Sequence, residues 1–196
     1  MKKTIVIALG LVYAAAFSFA VNAQQRADDG PQLKDGNVLV RPADYREWMF
    51  LSSGIGMTYA AGTPANAPQN FGNVYVNPSS YRRFMQTGQW PDRTIFVLEQ
   101  RASATEGSIV KGGRFQTTLA GIEAEIKDVR VPGGWAFFIF GGPPQMRDAV
   151  APLAGNAVEG CVECHTTNTA VERTFVQFYP TLLEIARAKG TLKPGF

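Results

Sequence analysis

Ile122-Glu123-Ala124-Glu125-Ile126-Lys127, then Gly133-Gly134, then Trp135-Ala136-Phe137-Phe138-Ile139-Phe140 and Gly141-Gly142-Pro143-Pro144, form the run whose reading decides the fold. In its first part Ile122, Ala124 and Ile126 alternate with Glu123, Glu125 and Lys127. A period of two predicts a strand, over residues 122–129, with one apolar face and one face in water. The second part is rich in β-formers and bracketed by glycine pairs, which predicts a strand central in a sheet. Working upstream, residues 114–120 and 94–100 are further strands, the latter placing Ile95, Val97 and Glu99 on one face and Phe96 and Leu98 on the other. Residues 73–76 read as another strand. Asn77-Pro78 then opens a helix, because asparagine caps and proline suits the first helical position, and Gly88 closes it after Thr87. Residues 52–70 read as a long loop and residues 42–48 as a short helix. Downstream the pattern turns helical from Gln145, and a last helix runs over residues 181–189 up to Gly190. No internal repeat is visible. The expected class is α+β: a mostly antiparallel β-sheet with short helices and a helical C-terminal segment.

The chain has 196 residues, the length of one domain. With 45% hydrophobic and 18% charged residues it is no disordered polymer. Residues 1–23 read as a signal peptide: Met1-Lys2-Lys3, an apolar run over 4–21, and the small-residue site Val21-Asn22-Ala23. Cleavage there leaves 17 basic residues against 16 acidic ones, too little charge to attract nucleic acid. No other apolar run is long enough to span a bilayer, so the expected product is an exported protein with no membrane segment, periplasmic in a Gram-negative source. Residues 24–36 are then a flexible lead-in, 37–190 the domain and 191–196 a tail.

Two cysteines and one histidine are present, and all three lie in Cys161-Val162-Glu163-Cys164-His165. C-x-x-C-H is the attachment pattern of a c-type haem. Two thiols three positions apart each reach a vinyl group on one porphyrin edge, and the next residue places its imidazole beneath the iron. A thioredoxin-type redox pair belongs in a βαβ unit, which does not precede the motif. Zinc would require two further ligands. With no second histidine, an axial thioether would have to come from Met49, Met57, Met85 or Met146. Each reads more simply as packing. An open sixth position is therefore expected, on one covalent haem c with His165 as its metal ligand.

Val74-Tyr-Val-Asn-Pro78, residues 87–99 (TGQWPDRTIFVLE), residues 121–128 (GIEAEIKD), Gly134-Trp-Ala-Phe137, the CVECH motif and Thr174-Phe-Val-Gln-Phe-Tyr-Pro180 together resemble the cytochrome P-460 family, which includes the β-sheet cytochromes c′. The resemblance covers residues 37–189. It implies an antiparallel sheet, one c-type haem, a homodimer and a periplasmic location. In the P-460 branch a lysine is cross-linked to the haem and hydroxylamine is oxidised. In the c′-beta branch the cross-link is absent, the haem is five-coordinate, aromatic residues cap its distal face, and nitric oxide and carbon monoxide bind.

Carried onto this chain, the resemblance puts Leu98 where the cross-linking lysine would stand and Gly72 where a distal arginine would stand. Glu123 matches a pocket carboxylate and is the candidate catalytic residue for proton transfer. Phe71 lies where a distal cap would sit, with Phe96 or Phe115 as further walls. The leading expectation is a cytochrome that binds small gaseous or nitrogen-oxide ligands and exchanges electrons with an unidentified redox partner. The alternatives are a hydroxylamine-oxidising enzyme, requiring a lysine such as Lys111 or Lys127 at the porphyrin edge, and a His/Met electron carrier. Arg173 is a candidate contact for a haem propionate.

Overall fold

A computed structural model describes residues 28–57, 69–107, 109 and 111–196. The expected signal peptide, residues 24–27 of the lead-in and most of the expected 52–70 loop lie outside them. The strands are β1 (Leu33–Lys34), β2 (Val38–Val40), β3 (Met49–Ile55), β4 (Asn70–Val76), β5 (Ile95–Ala104), β6 (Phe115–Lys127), β7 (Trp135–Gly141) and β8 (Ala149–Val150). The α-helices are α1 (Pro78–Thr87), α2 (Asn156–Thr167) and α3 (Pro180–Lys189). β3 to β7 form an antiparallel five-stranded sheet in sequence order, and β1, β2 and β8 form a small second sheet. The class is α+β, as the alternation of the strands predicts.

Both faces of the large sheet are covered. Ile95, Val97, Ile122, Ala124, Ile126, Phe138 and Phe140 pack with Leu39 and Val150 of the small sheet on one side. On the other, Val76, Phe96, Trp135 and Phe137 pack with Phe84, Leu182 and Ala186 of the helices. Glu123, Glu125 and Lys127 lie on the helix side. The expected water-facing row is thus covered, and Glu125 is only 9% exposed. Alternation reports that two faces differ; it does not report which one meets water.

β7 is an edge strand rather than a central one. Its apolar run reflects burial on both faces, and its outer edge is covered by the following segment: Arg147 N donates to Phe140 O (2.9 Å) and Leu153 N to Phe137 O (2.8 Å). That segment displaces the expected helix at Gln145; α2 begins only at Asn156. The two strands expected within residues 114–129 are one, Phe115–Lys127, with register shifts where it passes Gln100–Ser103 of β5. Residues 52–55 extend β3 instead of opening a loop, and residues 42–48 yield only a 3-10 turn at Tyr45–Glu47.

α1 matches the expected bounds, with Gly88 closing it at φ 70°. Asn77 does not cap it, however: its Oδ1 accepts from Ile95 N (3.0 Å), and Asp29 Oδ2 accepts from Ser79 N (2.8 Å) instead. Asp28 pairs with Arg93 at 2.6 Å. The described end of the lead-in is therefore part of the fold. Gly142 sits where a Cβ would lie 2.0 Å from Ala120 O, at the shifted part of β6. Gly142→Ala is expected to lower the stability by about 1–3 kcal/mol, since backbone must move to admit the methyl. Urea unfolding with a midpoint equal to that of the parent would contradict this.

Candidate haem-attachment site

α2 carries the motif. Glu159 in its first turn and His165 in its last suit the helix dipole. Positions i, i+3 and i+4 share a helical face, so Cys161, Cys164 and His165 project together. Val158, Cys161, Val162 and Cys164 rest against the helix-side cluster, yet no residue of α2 is fully buried. The Cys161 thiol is pushed up by burial and by the nearby Glu123 carboxylate. The helix ends when Asn168 N bonds to Cys164 O (2.9 Å), and Thr169 Oγ1 donates to His165 O.

The His165 ring is held on three sides. Phe137 of β7 and Phe175 each meet it edge-on, with centroids 4.8 Å away. Nδ1 lies 2.8 Å from the Arg173 carbonyl, which a tight turn at Val171–Thr174 presents. It also lies 3.0 Å from Glu125 Oε2. The ring N–H aims at the carbonyl, so Oε2 has no aligned donor of its own among the described residues. Burial raises the Glu125 carboxyl above its ordinary range. Burial opposes the charged imidazole too, but Glu125 outweighs it and lifts His165. With Nδ1 engaged, Nε2 is the nitrogen left for a metal.

Leu98 and Glu123 are register partners on the same face. Glu123 is half-buried; Gln100 Nε2 donates to its Oε1 (2.8 Å), and burial raises its carboxyl. Leu98 Cδ1 fills the space over Gly72, 3.2 Å from where a Cβ would be. The structure thus brings Leu98, Gly72 and Glu123 together. Phe71 does not join them. It pairs with Arg101 and shares the face of Asn73 and Tyr75, opposite Leu98. The expectation set Phe71 and Leu98 around one pocket; the register places them on opposite faces of the sheet, since their parities on paired strands differ. Phe96 lies on the Leu98 side but is buried against Trp90, and Phe115 is 42% exposed near the far end of β6.

The remaining candidates are placed as follows. Lys127 Nζ donates to Trp90 O (2.7 Å) and to Glu172 Oε2 (2.6 Å), and Lys111 lies in an exposed turn. Met146 packs in the cluster on the opposite face, Met85 packs in the helix-side cluster, and Met49 and Met57 are exposed. Arg173 reaches His165 through its carbonyl. Its guanidinium lies against Gly133, in a hollow of about 400 Å³ shared with Lys127, Trp135 and Lys193.

Sequence reasoning missed Glu125, Phe137, Phe175 and the Arg173 carbonyl. The only available signal was that Glu125 alternates in a strand whose neighbours are buried.

The donor set fits a covalently held haem: two thiols and one imidazole on a helical face, with that imidazole's second nitrogen occupied by acceptors. A family model described as Cytochrome P460 matches residues 42–176, more than half of the chain. No curated protein matches it.

Proposed function

This chain belongs to the cytochrome P460 family and is a haem-binding cytochrome of that kind; from that premise we propose that it is an exported, periplasmic, single-haem c-type cytochrome that binds nitric oxide or a similar small neutral ligand. Cys161 and Cys164 hold the porphyrin through thioether bonds, and His165 Nε2 is the protein ligand to iron. The bound group supplies an iron that takes a small ligand at its open position and accepts or releases one electron. The chain's residues orient it and exclude competing ligands. The reading includes a homodimer and a redox partner of unspecified identity.

One observation supports the choice of ligand binding. Leu98 presents an alkyl side chain beside Glu123 and over Gly72, at the position that the resemblance matches to the amine of the cross-linked branch. An alkyl wall forms no bond to a porphyrin and disfavours anions, since a buried charge without a partner is costly. Oxidation of hydroxylamine is the second reading. It is favoured by Glu123, a carboxyl raised by burial and held by Gln100, which suits proton transfer.

An absorption spectrum of the full chain, exported in a host competent for haem c assembly, tests these readings. A high-spin, five-coordinate spectrum that changes with nitric oxide is the expected result. A strongly red-shifted ferrous Soret band would move the assignment to hydroxylamine oxidation. A low-spin spectrum with a sulfur–iron band would move it to electron carriage. Colourless protein, or pigment lost to acidified acetone, would sink all three.

A further inference from the structure

Glu125 has no role in that reading. It projects from β6 between its register partners Phe96 and Phe137, into a cluster that also holds Trp90, Trp135 and Phe175. It is 9% exposed. A carboxylate in such surroundings is costly unless partnered. Its Oε2 lies 3.0 Å from the Nδ1 of the His165 ring and has no aligned donor among the described residues. Arg173 acts on it only at longer range.

Two acceptors therefore meet one ring nitrogen, and their effects differ. The Arg173 carbonyl, at 2.8 Å and aligned with the N–H, suffices to fix the tautomer. The carboxylate contributes what a carbonyl cannot, a negative charge against the ring. Outer carboxylates beside a ligating histidine orient the ring and strengthen it as a donor. We propose that Glu125 is a positioning residue for the iron ligand His165, whose charge strengthens the imidazole as a donor and so stabilises ferric over ferrous iron. This rests on His165 being the iron ligand, and it assigns to the helix-side face of β6 two carboxylates with separate duties. Glu125 lies behind the histidine, and Glu123 lies beside Leu98.

The test compares holoprotein of the parent, Glu125→Gln and Glu125→Asp. Glutamine keeps the shape and removes the charge. The expected result is an equilibrium shifted about tenfold or more toward ferrous iron, equal to about 59 mV for one electron. The iron–histidine stretch in resonance Raman spectra should move to lower frequency. Aspartate keeps the charge but retracts it, so a shift in the same direction and smaller in size is expected. It also serves as the deciding variant if the glutamine protein does not fold. Equal potentials and an unmoved stretch across folded, pigmented proteins overturn the assignment of Glu125 while leaving the proposed function intact. A parent without thioether-bound pigment overturns the reading on which the assignment rests.

Discussion

Glu99→Ala is expected to cost about 3–5 kcal/mol of stability, because it breaks a buried ion-pair network from its centre. Glu99 is 2% exposed and lies on the sheet face opposite the motif. Arg46 Nε donates to its Oε2 (2.8 Å), as does the Tyr45 hydroxyl, while Arg101 Nε donates to Oε1 (2.7 Å). Asn73 Nδ2 adds a bond at 3.2 Å, and Asn73 is itself engaged by Ser53 and Gln116. Removing the carboxylate takes the acceptor from the buried Tyr45 hydroxyl and the countercharge from Arg101 and Arg46, whose side chains are 26% and 50% exposed, while Asn73 keeps its bond to Gln116. Urea unfolding at neutral pH measures the loss. A cost under about 1 kcal/mol, the level of an exposed pair, would refute the account.

The same carboxylate sets a pH dependence. Burial alone would raise its pKa, but the bonds from Arg101, Tyr45, Arg46 and Asn73 hold it at about 2 against an ordinary 4.5. The depressed value means that the folded state keeps Glu99 ionised where the unfolded chain already binds a proton. The contribution is therefore complete above pH 4.5 and is lost as pH falls toward about 2. The difference in unfolding free energy between the parent and Glu99→Gln should narrow steadily across that window. A constant difference would mean that the charge at Glu99 is not what the network stabilises.

Glu99 also illustrates what the sequence can disclose. Its face, shared with Ile95 and Val97, follows from strict alternation along residues 94–100, and the structure keeps it. α1 and α3 were equally legible, since the glycine that closes each, and the proline that opens α1, act through local backbone geometry. The arginines around Glu99 come from other elements or from beyond the strand's clear alternation, and no local rule brings them in. The same limit governs the site. Cys161, Cys164 and His165 are neighbours in sequence, so their shared helical face was readable. Glu125 and Phe137 come from paired strands and meet His165 only through tertiary packing. The placement of Phe71 was hidden for a related reason. Its distance along the chain from Leu98 was visible, but the side of the sheet it takes depends on the β4–β5 register. Burial of β7 was legible as an apolar run. That its edge is covered by residues 145–153 was not, because those contacts are made by backbone groups of irregular chain.

The imidazole itself supports the largest spectroscopic prediction. His165 is the chain's single histidine, so His165→Ala leaves no imidazole anywhere. Alanine preserves the α2 helix, and Cys161 and Cys164 remain to hold the pigment covalently. The expected protein is therefore coloured, with an altered spectrum and with the iron–histidine stretch gone. The substitution opens a ring-sized gap between Phe137 and Phe175, whose centroids each lie 4.8 Å from the missing ring. The Arg173 carbonyl that accepted the Nδ1 proton stays in place at the back of that gap. Free imidazole in excess should enter, donate one nitrogen to that carbonyl and present the other as His165 did, restoring the parent spectrum. A spectrum unchanged by the substitution would place the protein ligand elsewhere, with the four methionines outside residues 1–23 as the first to examine. A lost spectrum that imidazole fails to restore would mean that the clamp formed by Phe137, Phe175 and the carbonyl does not survive without the side chain it holds.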